Sequence, residues 1–143
     1  MNEATILLVE DNAIDEELTL FALRKANILN NVVVARDGAE ALDYLFGTGA
    51  HAGRGEQLPQ LVLLDLNLPK LSGVQVLHRI RADAKRKVLP VVILTSSREG
   101  RDLDDGYRGG ANSYVVKPVD FAQYANVVKQ LGLYWLVLNA PPR

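Results

Sequence analysis

The sequence predicts an α/β fold in which a doubly wound, five-stranded parallel sheet carries helices on both faces. Short apolar runs alternate along the chain with longer segments whose apolar residues recur every three or four positions. Such alternation is typical of parallel sheets, and right-handed crossovers make them doubly wound. The run Leu61–Leu64 is apolar throughout, as expected of a central strand that is buried on both sides.

Five apolar runs predict the strands. They cover residues Thr5–Val9, 32–35, Leu61–Leu64, 90–94 and Ser113–Val116. The first combines Ile and Leu with a final Val, and the second is rich in β-branched residues, which favour strands. The fourth ends at Thr95 and the fifth at Lys117.

Five helices are predicted from apolar spacing and from the capping residues that precede them. They span residues 12–26, 38–46, 73–81, 99–108 and about 121–131, with candidate caps Asn12, Asp37, Ser72 and Asp120. In the first helix, Asp15 and Glu16 suit the positive end of the helix dipole. Its inward residues are predicted to be Ile14, Leu18, Phe21, Ala22 and Lys25. Inward residues elsewhere are predicted to be Ala41, Leu42, Leu45, Val74, Leu77, Ile80, Phe121, Tyr124, Val128 and Leu131. The fourth helix is polar, with few apolar anchors.

Length and composition indicate one domain over 1–143, with a core at about 4–131 and a C-terminal extension at 132–143. Residues 47–58 carry four glycines and are predicted to form a flexible loop within it. The net charge of -1 does not suggest nucleic-acid binding. A basic cluster forms either a solvated face or a local patch: Arg79, Arg81, Lys85, Arg86 and Lys87. Cysteine is absent and neither a signal peptide nor a membrane span is evident, so we expect a cytoplasmic protein without a membrane partner.

Polar side chains stand at the ends of four predicted strands. Glu10 and Asp11 follow the first strand, and Asp65 follows the third. Thr95 ends the fourth, and Lys117 follows the fifth. Ligands of open α/β sheets bind in the crevice outside the carboxyl ends of the strands. In a flavodoxin-like order, 2-1-3-4-5, the first and third strands are neighbours, so we expect the three acids to share one cleft.

Three carboxylates at close range repel one another unless a cation offsets their charge. Mg²⁺ is suited to this, because it prefers oxygen ligands and binds one or two carboxylates together with phosphate oxygens. An oxygen nucleophile, a metal, a lysine and a hydroxyl are the parts that phosphoryl transfer needs. Taken singly, each residue also has a structural interpretation, as a helix cap, a strand threonine or a loop lysine. Their joint placement favours the functional interpretation.

Four separated motifs carry a family resemblance. In order, ILLVEDN, LVLLDLNLPKLSG, VVILTSS and NSYVVKP resemble the receiver domains of two-component response regulators, from Ile6 to about Leu131. The resemblance implies an Mg²⁺ cofactor, a sensor histidine kinase as partner, and no enzymatic activity beyond self-catalysed phosphoryl transfer and autodephosphorylation. Two features depart from the family pattern: the loop at 47–58 is longer than in minimal receivers, and the tail LGLYWLVLNAPPR does not resemble a DNA-binding module, so we expect no output domain.

By position, the resemblance makes Asp65 the phospho-acceptor. The metal ligands it implies are Glu10, Asp11, Asp65 and the backbone carbonyl of Asn67. Thr95 then hydrogen-bonds the phosphoryl group, and Lys117 pairs with it.

The resemblance also implies a switch. Tyr114 matches the aromatic residue that turns inward when Thr95 moves toward the phosphoryl group. The side chains of Asn67 and Ser97 flank the expected path of hydrolytic water and are predicted to tune the lifetime of the phosphorylated state. Pro118 resembles the proline, often in a cis bond, that follows the family's lysine.

A narrower resemblance is to the stand-alone regulators found beside bacterial phytochrome-type histidine kinases. It rests on the long loop, DLNLPKLSG and the tail LGLYWLVLNAPPR, and it implies a bacteriophytochrome partner in a light-sensing pathway. Residues 133–138 are hydrophobic and uncharged, so they either fold back on the domain or form a contact between subunits. We predict a homodimer whose interface includes Tyr134, Trp135, Leu136 and Leu138.

Other functions stay open at this point. The domain is an output messenger, a phosphate sink that drains a kinase, or an interaction module that works without phosphorylation, although the full acid, hydroxyl and lysine set argues against the last. An Mg²⁺-dependent aspartyl phosphatase of the haloacid dehalogenase type is remote, because its D-x-D motif follows the first strand, whereas DLN follows the third here. A nucleotide- or flavin-binding module would need a glycine fingerprint where EDNAIDE stands.

Overall fold

The computed structural model describes residues 5–25, 31–53, 58–96, 100–117, 121–132 and 134–135. The strands are β1 (Thr5–Val9), β2 (Asn31–Ala35), β3 (Leu61–Leu64), β4 (Val91–Thr95) and β5 (Ser113–Val116). The helices are α1 (Ala13–Lys25), α2 (Gly38–Phe46), α3 (Gly73–Ala82), α4 (Gly100–Arg108) and α5 (Phe121–Gly132). All strand pairs of this sheet are parallel, in the order β2-β1-β3-β4-β5. The predicted flavodoxin-like α/β fold is therefore confirmed.

The core has two halves, one on each face of the sheet. Alternate residues of β1 and β3 belong to different halves, because successive side chains of a strand point to opposite faces. One half packs β1 and β3 against α2 and α3, and the other packs them against α1 and α5. All four residues of β3 are buried, which explains its unbroken apolar run. Each fully buried Leu or Ile stabilises the fold by roughly 1.5–3 kcal/mol.

Three of the four predicted helix caps are formed. Asn12 and Asp37 each accept the backbone N–H of the residue three positions later, at 3.0 and 2.7 Å. Ser72 and Gln75 form a reciprocal capping box at the start of α3. Each such cap contributes about 1 kcal/mol. Asp120 lies outside the described residues.

The inward face predicted for α1 is confirmed for Ala22, which is buried, and for Leu18, which packs against the core, but it is wrong for the other three residues. Ile14 is 69% exposed and Phe21 is 48% exposed, and Lys25 is exposed as well. The buried residues of α1 are Thr19, Ala22 and Leu23. The physical reason is a polar contact between helices, in which the Thr19 hydroxyl pairs with the hydroxyl of Tyr124 on α5. Because this hydroxyl is hydrogen-bonded, a threonine can occupy a position that apolar spacing assigns to isoleucine or phenylalanine.

The other helices bury most of the residues that the sequence predicts. In α2, Ala41, Leu42 and Leu45 are buried. In α3, Leu77 and Ile80 are buried with Val76, whereas Val74 is only partly buried at the edge of the core. In α5, Tyr124 and Val128 are buried and Leu131 packs beside them. Of the described helices, none is both long and apolar enough to cross a membrane.

The start of the glycine-rich loop contains a 3₁₀ turn at Gly49–His51, which the sequence did not predict. Gly47 ends α2 in the left-handed conformation, with φ of 65°, which favours glycine. The Thr48 hydroxyl donates to Asp43 Oδ1 at 2.9 Å. The His51 ring lies edge-on to Tyr44, with 5.3 Å between centroids. This part of the loop is therefore packed on α2.

Candidate functional site

Three backbone hydrogen bonds place the predicted site residues at one edge of the sheet. The Glu10 amide donates to the last carbonyl of β2 at 3.0 Å, and the Asp65 amide donates to the last carbonyl of β1 at 3.1 Å. The Lys117 amide donates to the last carbonyl of β4 at 2.7 Å. Hydrogen bonding between strands thus continues one residue past the strand ends. It fixes the backbone from which each of the three side chains extends.

The segment after β3 is held close to Asp65 by a glycine. Gly73 begins α3, and its N–H donates to the Leu66 carbonyl at 2.9 Å. A Cβ at this position would overlap the Asp65 carbonyl oxygen, so only glycine lets α3 begin here. The backbone N–H of Asn67 donates to Asp65 Oδ1 at 3.2 Å. That bond restrains one carboxylate oxygen while the other contacts Lys117.

Lys117 is the centre of the charge network. Its Nζ lies 2.5 Å from Glu10 Oε1, 2.9 Å from Asp15 Oδ2 and 3.2 Å from Asp65 Oδ2. The Lys117 side chain is 7% exposed and that of Glu10 is 2% exposed, so water screens their attraction little. An ammonium group has three N–H donors, and here each has a carboxylate acceptor. The predicted convergence of acids on one lysine is therefore present.

Glu10, Asp11 and Asp65 also form a group that fits a divalent cation. Each offers one carboxylate oxygen, and these oxygens lie within 4.8 Å of one another. All the donors are hard oxygens, which Mg²⁺ prefers. Glu10 is buried and Asp11 is exposed, so the group reaches from the protein interior to solvent. Within the part of the chain that the structure describes, no second group of His, Cys, Asp and Glu has this geometry.

Burial shifts the protonation of the two most enclosed groups of the cleft, Glu10 and Lys117. Burial raises the pKa of Glu10 to about 7, because desolvation outweighs the attraction of Lys117 and the nearby Asp65 adds repulsion. Burial opposes the charge of Lys117 too, but its hydrogen bonds to Glu10 and Asp15 and the charge of Asp65 raise its pKa above the usual value. Lys117 is therefore cationic. Glu10 therefore retains a proton near neutral pH chiefly because it is buried, and a cation bound beside it would favour its charged form.

Comparison with known proteins gives consistent matches over nearly the whole chain. The family model of the response regulator receiver domain matches residues 6–129. A probable methanogenesis regulatory protein of Methanothrix harundinacea, FilR2, is 40% identical over 96% of this chain and 86% of its own length. The structure of the phosphorylated cyanobacterial phytochrome response regulator RcpA has a TM-score of 0.91 and 37% identity, over 99% of this chain and 100% of that one. The bacteriophytochrome response regulator AtBRR is 50% identical, with a TM-score of 0.78, over 98% of this chain and 100% of that one.

The family match decides the identification, because it spans most of the chain. This chain is a response regulator receiver domain. Receiver domains are phosphorylated by sensor histidine kinases, bind a divalent metal and are generally signalling proteins without enzymatic activity. A related structure holds such a metal: the Mn²⁺-bound form of response regulator Rcp1 has a TM-score of 0.89 and 33% identity, over 98% of this chain and 99% of that one.

The predicted switch residues of this receiver domain lie on β4 and β5. Thr95 is fully buried at the end of β4. Tyr114 of β5 is half-buried, and its ring centroid lies 6.4 Å from that of Tyr107 on α4. A Cβ at Gly106 would lie 2.7 Å from the Ile93 side chain and 3.1 Å from the Tyr114 ring, so a glycine is needed for α4 to lie this close to the sheet. As predicted, α4 has few apolar anchors, and its two largest described apolar residues, Leu103 and Tyr107, are 40% and 51% exposed.

Asp15 is a residue of the receiver site that sequence reasoning missed. Its carboxylate contacts Lys117 as an ion pair, and not only the helix dipole that its position in the first turn suggested. The available signal was its place in the first turn of the helix that directly follows Glu10 and Asp11, which brings it to the same edge of the sheet. Nothing in the four motifs includes this position.

The predicted interface residues are only partly described. Trp135 packs against the half of the core that α1 and α5 cover, and Tyr134 is 50% exposed. Their rings meet edge to face, with 5.0 Å between centroids. Beside them, a cavity of about 500 Å³ opens along the β5 edge and is lined by Val115 and Leu131 among others. The predictions for Ser97, Pro118, Leu136 and Leu138 fall outside the described residues.

Proposed function

We propose that this receiver domain is a single-domain response regulator that takes a phosphoryl group on Asp65 from a sensor histidine kinase, in an Mg²⁺-dependent reaction. The observation that carries the proposal is the contact of Lys117 with both Glu10 and Asp65, beside the group of three carboxylates. A nucleophile and a cation 3.2 Å apart in a shielded cleft provide what phosphoryl transfer mostly requires, which is positioning and neutralisation of charge.

In the proposed reaction, a carboxylate oxygen of Asp65 attacks the phosphorus atom and forms an O–P bond. The P–N bond to the kinase histidine breaks, and its electron pair passes to the imidazole nitrogen, which takes a proton from water. Lys117 pairs with a phosphoryl oxygen, and the Thr95 hydroxyl donates a hydrogen bond to another. Hydrolysis ends the signal: water attacks the phosphorus atom, releases inorganic phosphate and restores the Asp65 carboxylate.

The residues proposed to hold Mg²⁺ are Glu10, Asp11, Asp65 and, through its backbone carbonyl, Asn67. When bound, the ion would neutralise charge on the phosphoryl oxygens. The convergence of three carboxylate oxygens within 4.8 Å of one another supports this assignment.

A gel that resolves phosphoprotein, run after incubation with acetyl phosphate and Mg²⁺, tests the proposal. The wild-type protein should shift, Asp65→Asn should not, and chelation should abolish the shift. Asp104→Asn is the matched control, because Asp104 is exposed on α4 and undergoes the same chemical change. A shift that survives Asp65→Asn would refute the assignment of the acceptor.

The proposed switch joins Thr95, Tyr114 and α4. Moving a two-state equilibrium from mostly off to mostly on takes roughly 5.5 kcal/mol, and charge-assisted hydrogen bonds supply about 1.5–3 kcal/mol each. We expect Tyr114→Ala to be phosphorylated normally but to lose the change in amide hydrogen exchange of α4 that phosphorylation causes in the wild type. An undiminished change in the variant would remove Tyr114 from the switch.

The proposed kinase is a bacteriophytochrome. The support is the similarity to AtBRR and RcpA, both of which are phytochrome response regulators. Purified bacteriophytochrome kinases given labelled ATP should transfer label to this chain at a rate that differs between red and far-red light. If acetyl phosphate labels Asp65 and these kinases transfer nothing, the pathway is wrong and the phosphorylation site stands.

A homodimer through the C-terminal segment is also proposed. Its support is the exposed ring of Tyr134 beside the β5 edge cavity. A chain that ends after Gly132 should scatter light as a monomer. Because Trp135 packs on the core, Tyr134→Ser is the milder variant, and it should raise the dimer dissociation constant while leaving the fold intact. An unchanged dimer in both variants would discard this interface.

A further inference from the structure

We infer that Asp15 is a positioning residue that controls how readily Lys117 binds the transferred phosphoryl group, an inference that rests on the proposed phosphorylation of Asp65. In the unphosphorylated domain, Lys117 Nζ lies closer to Asp15 Oδ2, at 2.9 Å, than to Asp65 Oδ2, at 3.2 Å. Asp15 belongs to α1 and is not one of the three carboxylates of the metal group. Its effect on the reaction therefore passes through Lys117.

The number of donors on Lys117 makes Asp15 a competitor. The ammonium group has three N–H bonds, and carboxylates of Glu10, Asp15 and Asp65 accept all three. A phosphoryl oxygen can gain a full hydrogen bond only if one of these acceptors gives way. Glu10 is held deep in the cleft, with its side chain 2% exposed, whereas that of Asp15 is 35% exposed and can be hydrated when released. Asp65 is itself the phosphorylated residue, so of the two acceptors that remain, Asp15 is the one that can release the lysine.

The backbone of Asp15 is restrained, so its carboxylate cannot simply follow Lys117 toward the phosphoryl group. The Asp15 N–H donates to Asn12 Oδ1 at 3.0 Å, and its carbonyl accepts the Thr19 hydroxyl at 2.9 Å. Thr19 is fully buried and paired with the hydroxyl of Tyr124, which ties this turn of α1 to α5. Movement of Lys117 toward the acceptor must then lengthen or break its contact with Asp15.

The negative charge of Asp15 also opposes phosphorylation of Asp65. Its Oδ2 and that of Asp65 both lie about 3 Å from one Nζ atom, so these two oxygens are at most about 6 Å apart. A phosphoryl group on Asp65 adds negative charge at this range, and the repulsion opposes its arrival. Removing the Asp15 charge should therefore accelerate phosphorylation, whereas removing a residue that merely supports the fold should slow it.

The test compares phosphorylation by acetyl phosphate in saturating Mg²⁺ for the wild type and three variants: Asp15→Asn, Asp15→Glu and Glu17→Gln. Asp15→Asn should react roughly fivefold faster, because a nearby unit charge is removed from a partly exposed position. Asp15→Glu keeps the carboxylate and should return the rate toward that of the wild type. Glu17→Gln removes an acid from an exposed position two residues away and should leave the rate unchanged.

The outcomes separate this inference from the proposed function. If the wild type is phosphorylated and Asp15→Asn reacts at the rate of Glu17→Gln, or more slowly than the wild type, the inference is wrong while the acceptor assignment stands. If the wild type does not react at all, the proposed function fails and the inference fails with it. Thermal unfolding of each variant shows whether a slow rate reflects a damaged fold, and a faster Asp15→Asn with an unchanged or lower midpoint excludes simple stabilisation as the cause.

Discussion

Lys117 and Arg81 are both cations held by several oxygen atoms, but the oxygens are of different kinds. Lys117 contacts three carboxylates at the carboxyl end of the sheet. Arg81 of α3 donates to three backbone carbonyls and one side-chain amide. Its acceptors are Gly110 O at 2.8 Å, Lys87 O at 3.0 Å, Leu89 O at 2.7 Å and Asn112 Oδ1 at 2.8 Å. Both networks join distant parts of the chain, yet only one of them can change its charge.

This difference separates a functional site from a structural one. A carboxylate that contacts a lysine can bind a proton or a metal ion instead, and a competing anion can take its place on the lysine. The proposed phosphoryl group would be such an anion, so the contacts of Lys117 can change. Backbone carbonyls do not titrate, and they need a donor whenever they are buried. Arg81 therefore fixes α3 to the segment before β4 and to the turn after α4. We expect the C-terminal end of α4 to stay in place while the start of the helix moves.

Arg86, another member of the basic cluster, is also held by contacts inside the domain. Arg86 is 7% exposed, its Nε donates to the Leu45 carbonyl at 2.6 Å, and its guanidinium lies 4.3 Å from the centre of the Phe46 ring. Arg86 and Arg81 thus use their donors inside the domain. Neither a solvated face nor a binding patch describes these two residues, although both interpretations were open from the sequence.

The largest expected effect is that of Lys117→Met on phosphorylation. The variant keeps the length of the side chain but removes the cation that faces Asp65, so the rate with acetyl phosphate should fall at least about a hundredfold. The rate is measured from the time course of phosphoprotein on a gel. Lys129→Met is the control, because Lys129 is an exposed lysine of α5. A rate within a factor of three of the wild type would make Lys117 a structural cation like Arg81.

Arg81→Met should instead lower stability and leave phosphorylation nearly unchanged. Four acceptors lose a charged donor, and since some of them gain water instead, the free energy of unfolding should fall by about 2–3 kcal/mol. Urea unfolding measures this loss, and added Mg²⁺ should not restore it. Lys87→Met is the matched control at an exposed position of the same cluster and should change stability by less than about 0.5 kcal/mol. Equal losses in the two variants would contradict the structural role of Arg81.

The fold could be predicted from the sequence because its signals are local and repeated. Apolar runs, capping residues and strand ends each specify the same arrangement, and four motifs fix the positions of Glu10, Asp11, Asp65 and Lys117. What could not be predicted depends on contacts between distant helices. The orientation of α1 follows from the buried pair of Thr19 and Tyr124, which are 105 residues apart. No spacing rule within α1 contains that partner.

The same limit applies to the site. From the sequence, Asp15 is predicted only to interact with the helix dipole. Its contact with Lys117, 102 positions later in the chain, is visible only in the fold. From the sequence, Arg81 belongs to a basic cluster, and only the structure shows that backbone carbonyls accept its hydrogen bonds. A sequence shows which groups are charged, whereas the functional meaning of a charge depends on the partners that the fold supplies.

The smallest expected effect concerns the proton on Glu10, and it tests whether the Lys117 network responds to its surroundings. The pKa of Glu10 is raised to about 7, from a usual value of 4.5, chiefly because the group is buried. Between these two values, the folded protein keeps a proton that the unfolded chain has lost. Stability from this group is therefore fully present below pH 4.5 and is lost as the pH rises through about 7.

Two measurements test whether the stability contributed by Glu10 is lost as the pH rises. Urea unfolding in chelator should show a smaller loss of stability between pH 5.5 and pH 8 for Glu10→Gln than for the wild type, because glutamine has no proton to lose. Mg²⁺ should bind the wild type more tightly as the pH rises toward 7, because the ion displaces the Glu10 proton. The matched control is Glu17→Gln, which should keep the pH dependence of the wild type. A wild-type protein that gains more stability than Glu10→Gln over this range would mean that the attraction of Lys117 outweighs burial and that the pKa of Glu10 is not raised.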